Sequence, residues 1–208
     1  MLNGLLIGFL IFANFFSIQE EKEVYPFSKW DKSTKEKANS AKDVDYLTFE
    51  EKEVIYLCNL ARLNPKLFGE TYVKQYVDSL EMPKTSYVNS LFATLKKMKK
   101  VDILSPQKDL YEVAKTHAED SGKKGTIGHQ NVTTRFKKHA PRYGETAENC
   151  DYGSDKAIDI VMSLMIDEGV SDKGHRENIL EKAMKSVGVA IREHKKWDYT
   201  CVMDFGDL

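Results

Sequence analysis

Residues 186–206, SVGVAIREHKKWDYTCVMDFG, decide how the chain folds. Two runs rich in β-branched and aromatic residues flank a polar stretch around His194, Lys195 and Lys196, a pattern that predicts an antiparallel hairpin. The text before it is punctuated for helices. Thr48 and Glu51 have the Ser/Thr-x-x-Glu spacing in which each side chain satisfies a free backbone donor at a helix start. Val54, Leu57, Cys58 and Ala61 then recur on one helical face, and Pro65 ends the run. Shorter helices are predicted over 69–80 and 87–99. Another opens at Pro106, with Leu110, Val113, Ala114, His117, Ala118 and Ser121 along its apolar stripe. A short amphipathic piece covers Thr134 to His139. A stronger helix follows from Ser154, with Ala157, Ile158, Val161, Met162 and Met165 facing inward. Helices precede the closing strands, without a regular βαβ alternation. The fold class is therefore α+β, helices packed on a small antiparallel sheet.

The length, 208 residues, suits one domain with extras. The formal net charge of -1 gives no electrostatic case for nucleic acid or an anionic membrane surface. The lysine run KKMKK, 96–100, reads as a solvated face because acidic residues balance it elsewhere. Residues 1–19 carry no charged side chain, and their apolar run Leu5–Ala13 falls short of the ~20 residues that span a bilayer. This segment reads as a signal peptide, which implies a secreted or periplasmic protein without a transmembrane span in the mature chain. Residues 20–46 are polar and read as a linker or extended arm, and the domain proper covers 47–208. Cys58, Cys150 and Cys201 form no Cys-x-x-Cys motif, so a structural zinc site built on cysteines is not indicated.

Four polar residues stand in suggestive surroundings: His129 in IGH, Glu148 in AEN, Asp167 in LMID and His175 in KGHREN. Two imidazoles and two carboxylates are the components of a metal site or of an acid–base site. Their separations in sequence do not establish that they meet, and a purely structural polar cluster remains open. His117, on an apolar stripe, reads as a core histidine, and His194 as a solvent-exposed turn residue. There is no His-Glu-x-x-His helix and no Gly-x-Ser-x-Gly elbow, and Cys58 sits on an apolar face as a poor nucleophile.

The ordered set AENCDYG (147–153), MSLMIDEGVSDKGHRENIL (162–180), SVGVAI (186–191) and YTCVMDFG (199–206) resembles the CAP superfamily, or SCP domain. That superfamily includes cysteine-rich secretory, antigen 5 and pathogenesis-related 1 proteins. EEKEVIYLCNLARLNP (50–65) is similar to the family's first helix. The resemblance implies an α-β-α sandwich, an antiparallel sheet between helical layers, in a bacterial exported member. It also implies a cleft whose four polar residues are His129, Glu148, Asp167 and His175. Glu148 matches the glutamate of the family's GEN segment, here AEN. Asp167 matches the acid of Trp-x-x-Glu, with Leu164 in place of tryptophan and Glu168 adjacent.

The same resemblance implies His129 and His175 as ligands of Zn or another divalent metal, and a lipid-like, small-molecule or protein ligand for a monomer. An enzyme is the less favoured reading. If there is activity, it is metal-assisted hydrolysis with Glu148 as candidate base. Cys150 and Cys201 fall in segments that neighbour each other in such a sheet, so a bridge between them and three free thiols are both open.

Overall fold

The structure, a computed structural model, describes residues 27–208. The segment 1–19 expected as a signal peptide lies outside the described residues. After a 3-10 turn at Phe27–Lys29, nine α-helices and four strands follow in the order α1 (Lys32–Ala38), α2 (Phe49–Leu63), α3 (Pro65–Phe68), α4 (Lys74–Ser79), α5 (Ser86–Lys97), β1 (Ser105–Pro106), α6 (Lys108–Lys124), α7 (Val132–His139), β2 (Thr146–Tyr152), α8 (Ala157–Ile166), α9 (Gly174–Leu180), β3 (Ser186–His194) and β4 (Asp198–Gly206) among the described residues. A π-helical turn, Gly69–Val73, joins α3 to α4, so the helix predicted over 69–80 begins earlier, at Pro65.

The sheet has the order β1-β3-β4-β2, with β3–β4 the predicted hairpin and β2 an outer strand. Glu148 lies opposite Asp204 and Gly188 also lies opposite Asp204, so these residues share one face of the sheet. That face is covered by α6 and α7. The backbone of Leu110 and Tyr111 comes so close to Gly188 that a Cβ there would lie 2.1 Å from it. The opposite parity, which includes Val187, Val189, Met203 and Phe205, packs in the main core with the apolar residues of α2, α8 and α9. The result is a three-layer sandwich, helices on both faces of a mostly antiparallel sheet.

The first helix of the domain proper starts as its sequence predicts. The Glu51 backbone N–H donates to Thr48 Oγ1 at 3.3 Å, and the Thr48 N–H donates to Glu51 Oε2 at 2.8 Å. The same carboxylate has a second task, because its Oε1 accepts from the Ile191 N–H at 2.9 Å and from Arg192 Nη1 at 2.8 Å. One fully buried glutamate thus caps α2 and fastens it to β3.

Two expectations change. The stretch 20–46 is, in its described part, no extended arm. Trp30 is buried, donates from Nε1 to Thr71 Oγ1 at 3.2 Å and meets Tyr72 edge-on. Ala38 and Ala41 join the main core. One indole and two small residues seal a helix surface, and a polar average composition hides that. His194, expected in solvent, is buried; its Nε2–H donates to Thr126 O at 3.0 Å, while Nδ1 accepts from the Lys196 N–H at 3.2 Å. A histidine that tightens a hairpin turn from within has the same local sequence as one that points outward.

The sheet register also bears on the cysteines. Cys150 lies opposite Val202, whereas Cys201 lies opposite Asp151. A one-residue offset sends the two side chains to opposite faces, so they do not bridge. All three cysteines are free and buried. Alkylation of the unfolded, unreduced protein is expected to add three groups by mass spectrometry; a product carrying one would show that a bridge exists.

Candidate functional site

The four residues singled out in the sequence form two histidine–carboxylate pairs that meet at the outer strand β2. On one side, His129 stands in the loop between α6 and α7. Gly128, at φ +94°, sets that loop: its N–H donates to Tyr152 Oη at 2.9 Å and its carbonyl accepts from His117 Nε2 at 2.7 Å. His129 Nδ1 then lies 2.9 Å from Glu148 Oε1. On the other side, Asp167 ends α8 in a left-handed conformation, φ +60°, which aspartate tolerates better than most residues. Its Oδ1 accepts from His175 Nδ1 at 2.7 Å, and its Oδ2 accepts the backbone N–H groups of His175 and Arg176 at 3.0 and 3.3 Å. The neighbouring Glu168 instead accepts from Thr85 Oγ1 at 2.7 Å, so Asp167 is the acid that touches a cleft histidine.

The His129 and His175 ring centroids are 6.4 Å apart. Their side chains remain 47 % and 23 % exposed, whereas those of Glu148 and Asp167 are 2 % exposed. The imidazoles therefore face the opening and the acids lie behind them. His175 also belongs to α9, and the GHREN segment is braced as its polar residues suggest. Arg176 donates to Met165 O at 2.6 Å, Ile166 O at 2.8 Å and Ser90 Oγ at 3.0 Å. Asn178 Nδ2 donates to Asn149 Oδ1 at 2.8 Å, and Asn149 Nδ2 to His175 O at 2.9 Å.

Three further residues complete the site, and the sequence reading passed over their role. His117 is buried, as predicted, but its Nε2 also lies 4.0 Å from Glu148 Oε1. Arg135 of α7 grips Glu148 with both terminal nitrogens, Nη1 to Oε2 at 2.5 Å and Nη2 to Oε1 at 3.0 Å. Asp204, fully buried across the strand pair from Glu148, is close enough for the two carboxyl groups to interact, and Arg135 Nη1 is 3.9 Å from its Oδ2. A lone acid in the otherwise apolar strand VMDF is the one signal that points to Asp204. Nothing in the short helix around Arg135 marks it.

Burial and pairing push these groups in opposite directions. Burial alone would raise Glu148, but hydrogen bonds from His129 and Arg135 and the guanidinium charge outweigh it and hold its pKa near about 2. Asp204 is pushed well above the usual carboxylate range by burial and the adjacent Glu148 charge. His129 is raised by its hydrogen bond to Glu148, and His117 is lowered by burial. Burial also pushes the Cys150 thiol well up, so it is no thiolate nucleophile.

His117, Glu148 and Cys150 place potential ligand atoms within 4.8 Å of one another. That buried trio suits a cation poorly, because Arg135 already occupies both Glu148 oxygens and Cys150 keeps its proton. The exposed pair suits one better. His129 and His175 each engage a carboxylate through Nδ1, which leaves Nε2 as the free ring nitrogen, the arrangement that orients a metal-binding histidine.

Hollows flank the imidazoles. One of about 530 Å³ runs between α7 and β2, lined by His129, Val132, Phe136, Ala140, Tyr143 and Glu148 among others. The other, about 340 Å³, is lined by Tyr76, Met82, Cys150, Leu164, Asp167 and His175 among others. A larger hollow of about 810 Å³ lies between α6 and the hairpin tip, lined by neither His129 nor His175 and walled by Glu119, Arg192 and Glu193 among others. Its walls lack the convergent imidazole–acid pairs, so it is not the centre of the site.

Comparison with solved structures returns an extracellular SCP-domain protein of Bacillus anthracis at 13 % identity and TM-score 0.48, covering 76 % of this chain and 41 % of that one. It also returns an outer surface protein of Borrelia burgdorferi at 19 % identity and TM-score 0.46, covering 60 % of this chain and 95 % of that one. A cysteine-rich secretory protein of Staphylococcus aureus matches at 20 % identity and TM-score 0.43, over 59 % of this chain and 38 % of that one. This chain thus spans less than half the length of the Bacillus and Staphylococcus proteins. No curated protein matches it. The sequence profile of the cysteine-rich secretory protein family matches residues 55–205, most of the chain and all four cleft residues, and with the α-β-α sandwich around them the chain belongs to the CAP family.

Proposed function

We propose that the cleft of this CAP domain is a binding site, not a catalytic one, in which His129 and His175 hold a divalent metal, with Zn²⁺ the best chemical match. The observation that carries this reading is the matched use of Nδ1: each imidazole is oriented by a buried carboxylate and keeps Nε2 for the opening. A bound Zn²⁺ would supply a Lewis-acidic anchor for a ligand oxygen or nitrogen. Around it, Glu148 and Asp167 fix ring orientation and tautomer, and the apolar walls at Phe136, Tyr143 and Leu164 accept the non-polar body of an amphipathic ligand. An extracytoplasmic location, expected from residues 1–19, fits a protein whose ligand is met outside the cell.

Hydrolysis with Glu148 as base is disfavoured. A carboxylate clamped by Arg135 and held near a pKa of about 2 has little tendency to take a proton from water at neutral pH.

The test is zinc titration of the wild type and the His129→Ala/His175→Ala variant by calorimetry. Binding at about 1:1 in the wild type and its loss in the variant are expected. Affinity should also fall as the pH is lowered, because protons compete for His129, which its hydrogen bond to Glu148 makes more basic than an ordinary imidazole. Equal binding by the double variant would overturn the assignment.

A further inference from the structure

Outside the cleft, α1, the loop 98–104 and the loop after α9 line a hollow of about 440 Å³, walled by Ser33, Thr34, Lys37, Leu63, Lys100 and Lys182 among others. We propose that this hollow is an anion-binding site, and that its ligand is a compact anion carrying more than one phosphoryl group.

Three lysines from three separate segments converge there, and among the described residues none of them is ion-paired or hydrogen-bonded through its side chain. Some surface lysines elsewhere have acid partners: Lys32 meets Glu36, Lys66 meets Glu70 and Lys124 meets Asp120. Unpaired ammonium groups that line one concavity offer an anion several cationic partners at once.

A second feature adds to the same field. Arg62, in the last turn of α2 beside Leu63, is fully buried and meets no carboxylate at ion-pair distance among the described residues. Its guanidinium instead donates to four backbone carbonyls: Asp102 at 2.7 Å, Ile179 at 2.7 Å, Glu181 at 2.9 Å and Met184 at 2.6 Å. Burial lowers its pKa only to about 10, so it stays charged at neutral pH. Arg62 thereby pins the two loops that carry Lys100 and Lys182 and adds a buried positive charge to this side of the molecule, which the Asp102 and Glu181 carboxylates offset in part.

The carboxylate in the lining is Asp102, against three ammonium groups and the guanidinium below. Ser33 and Thr34 already donate their hydroxyl protons to Asp31, so recognition falls to the lysines. Ammonium groups bind phosphate as point charges without demanding one geometry. The volume lies within the range of ligand pockets, roughly 300–1,000 Å³, and exceeds what one phosphate ion fills, which favours an oligophosphate-type anion.

The probe is tripolyphosphate, titrated calorimetrically into the full-length protein in 0.15 M salt (about the physiological level) with a chelator present, so that metal capture at the histidines contributes nothing. Inorganic phosphate and sulfate serve as single-anion arms. Saturable binding of tripolyphosphate at about 1:1 is expected, with phosphate and sulfate weaker by about tenfold or more. The triple variant Lys37→Gln/Lys100→Gln/Lys182→Gln should lose at least about tenfold in affinity. A control that removes the same charge elsewhere, Lys42→Gln/Lys84→Gln/Lys195→Gln, should lose less than about twofold. No binding at this salt, or equal losses in both triple variants, would overturn the site; equal binding of sulfate would overturn the preference for several phosphoryl groups. His129→Ala/His175→Ala should leave the titration unchanged, so the outcome is independent of the metal reading.

Discussion

Gly188→Ala is expected to yield little or no folded protein. The added Cβ would lie 2.1 Å from the Leu110 carbonyl carbon and the Tyr111 nitrogen, both backbone atoms of α6. A flexible side chain could swing aside, but a helix backbone cannot without lifting α6 from the sheet. That helix packs along β3 and β4 and carries His117 into the site, so its displacement would open the layer that holds the site together. The cost should exceed the ~1–3 kcal/mol typical of core overpacking. Soluble yield and a urea melt followed by circular dichroism would measure it. Gly169→Ala is the matched control. Nothing lies within 4 Å of a Cβ there, and only its φ of +84° resists the change, so a loss of about 1–2 kcal/mol is expected. Comparable stability of Gly188→Ala and wild type would mean that α6 does not approach β3 this closely.

Removing the guanidinium from the site should have the next largest effect. Arg135→Met keeps most of the aliphatic stem but leaves Glu148 buried beside Asp204 without its cation. Stranding one partner of a buried ion pair costs about 3–5 kcal/mol, and urea unfolding at pH 7 should show a loss of that size. The pH dependence identifies the cause. Glu148 is depressed from 4.5 to about 2 in the folded protein. Its pairing therefore stabilises the fold above the unfolded pKa, and that contribution disappears as pH falls through about 2. The gap between wild type and Arg135→Met should be widest above about pH 5 and should narrow toward pH 2. A gap independent of pH would assign the loss to packing of the arginine stem and not to its charge. The histidine rings offer a further readout: with Glu148 no longer fixed, His129 should lose its preferred tautomer in nitrogen NMR spectra, while His175, held by Asp167, should keep it.

These outcomes separate what was legible in the chain from what was not. The capping box at Thr48, the helical stripe of α6 and the closing hairpin were readable because each depends on neighbours within a few positions. The cleft histidines and acids were readable through an ordered set of short segments that resembles one family. Their pairing was not: Asp167 and Glu168 are adjacent and chemically alike, and only the left-handed turn at Asp167 aims one of them at His175.

By itself the sequence determined the α+β class and the helix starts, since periodicity, capping and turn chemistry are local, whereas the cleft residues were singled out only by the family resemblance. Tertiary structure alone decided that Cys150 and Cys201 face opposite ways, that Trp30 and His194 are buried, and that Arg135 and Asp204 stand behind Glu148. Those outcomes depend on strand register and on charges brought together from distant segments, and no local pattern encodes either.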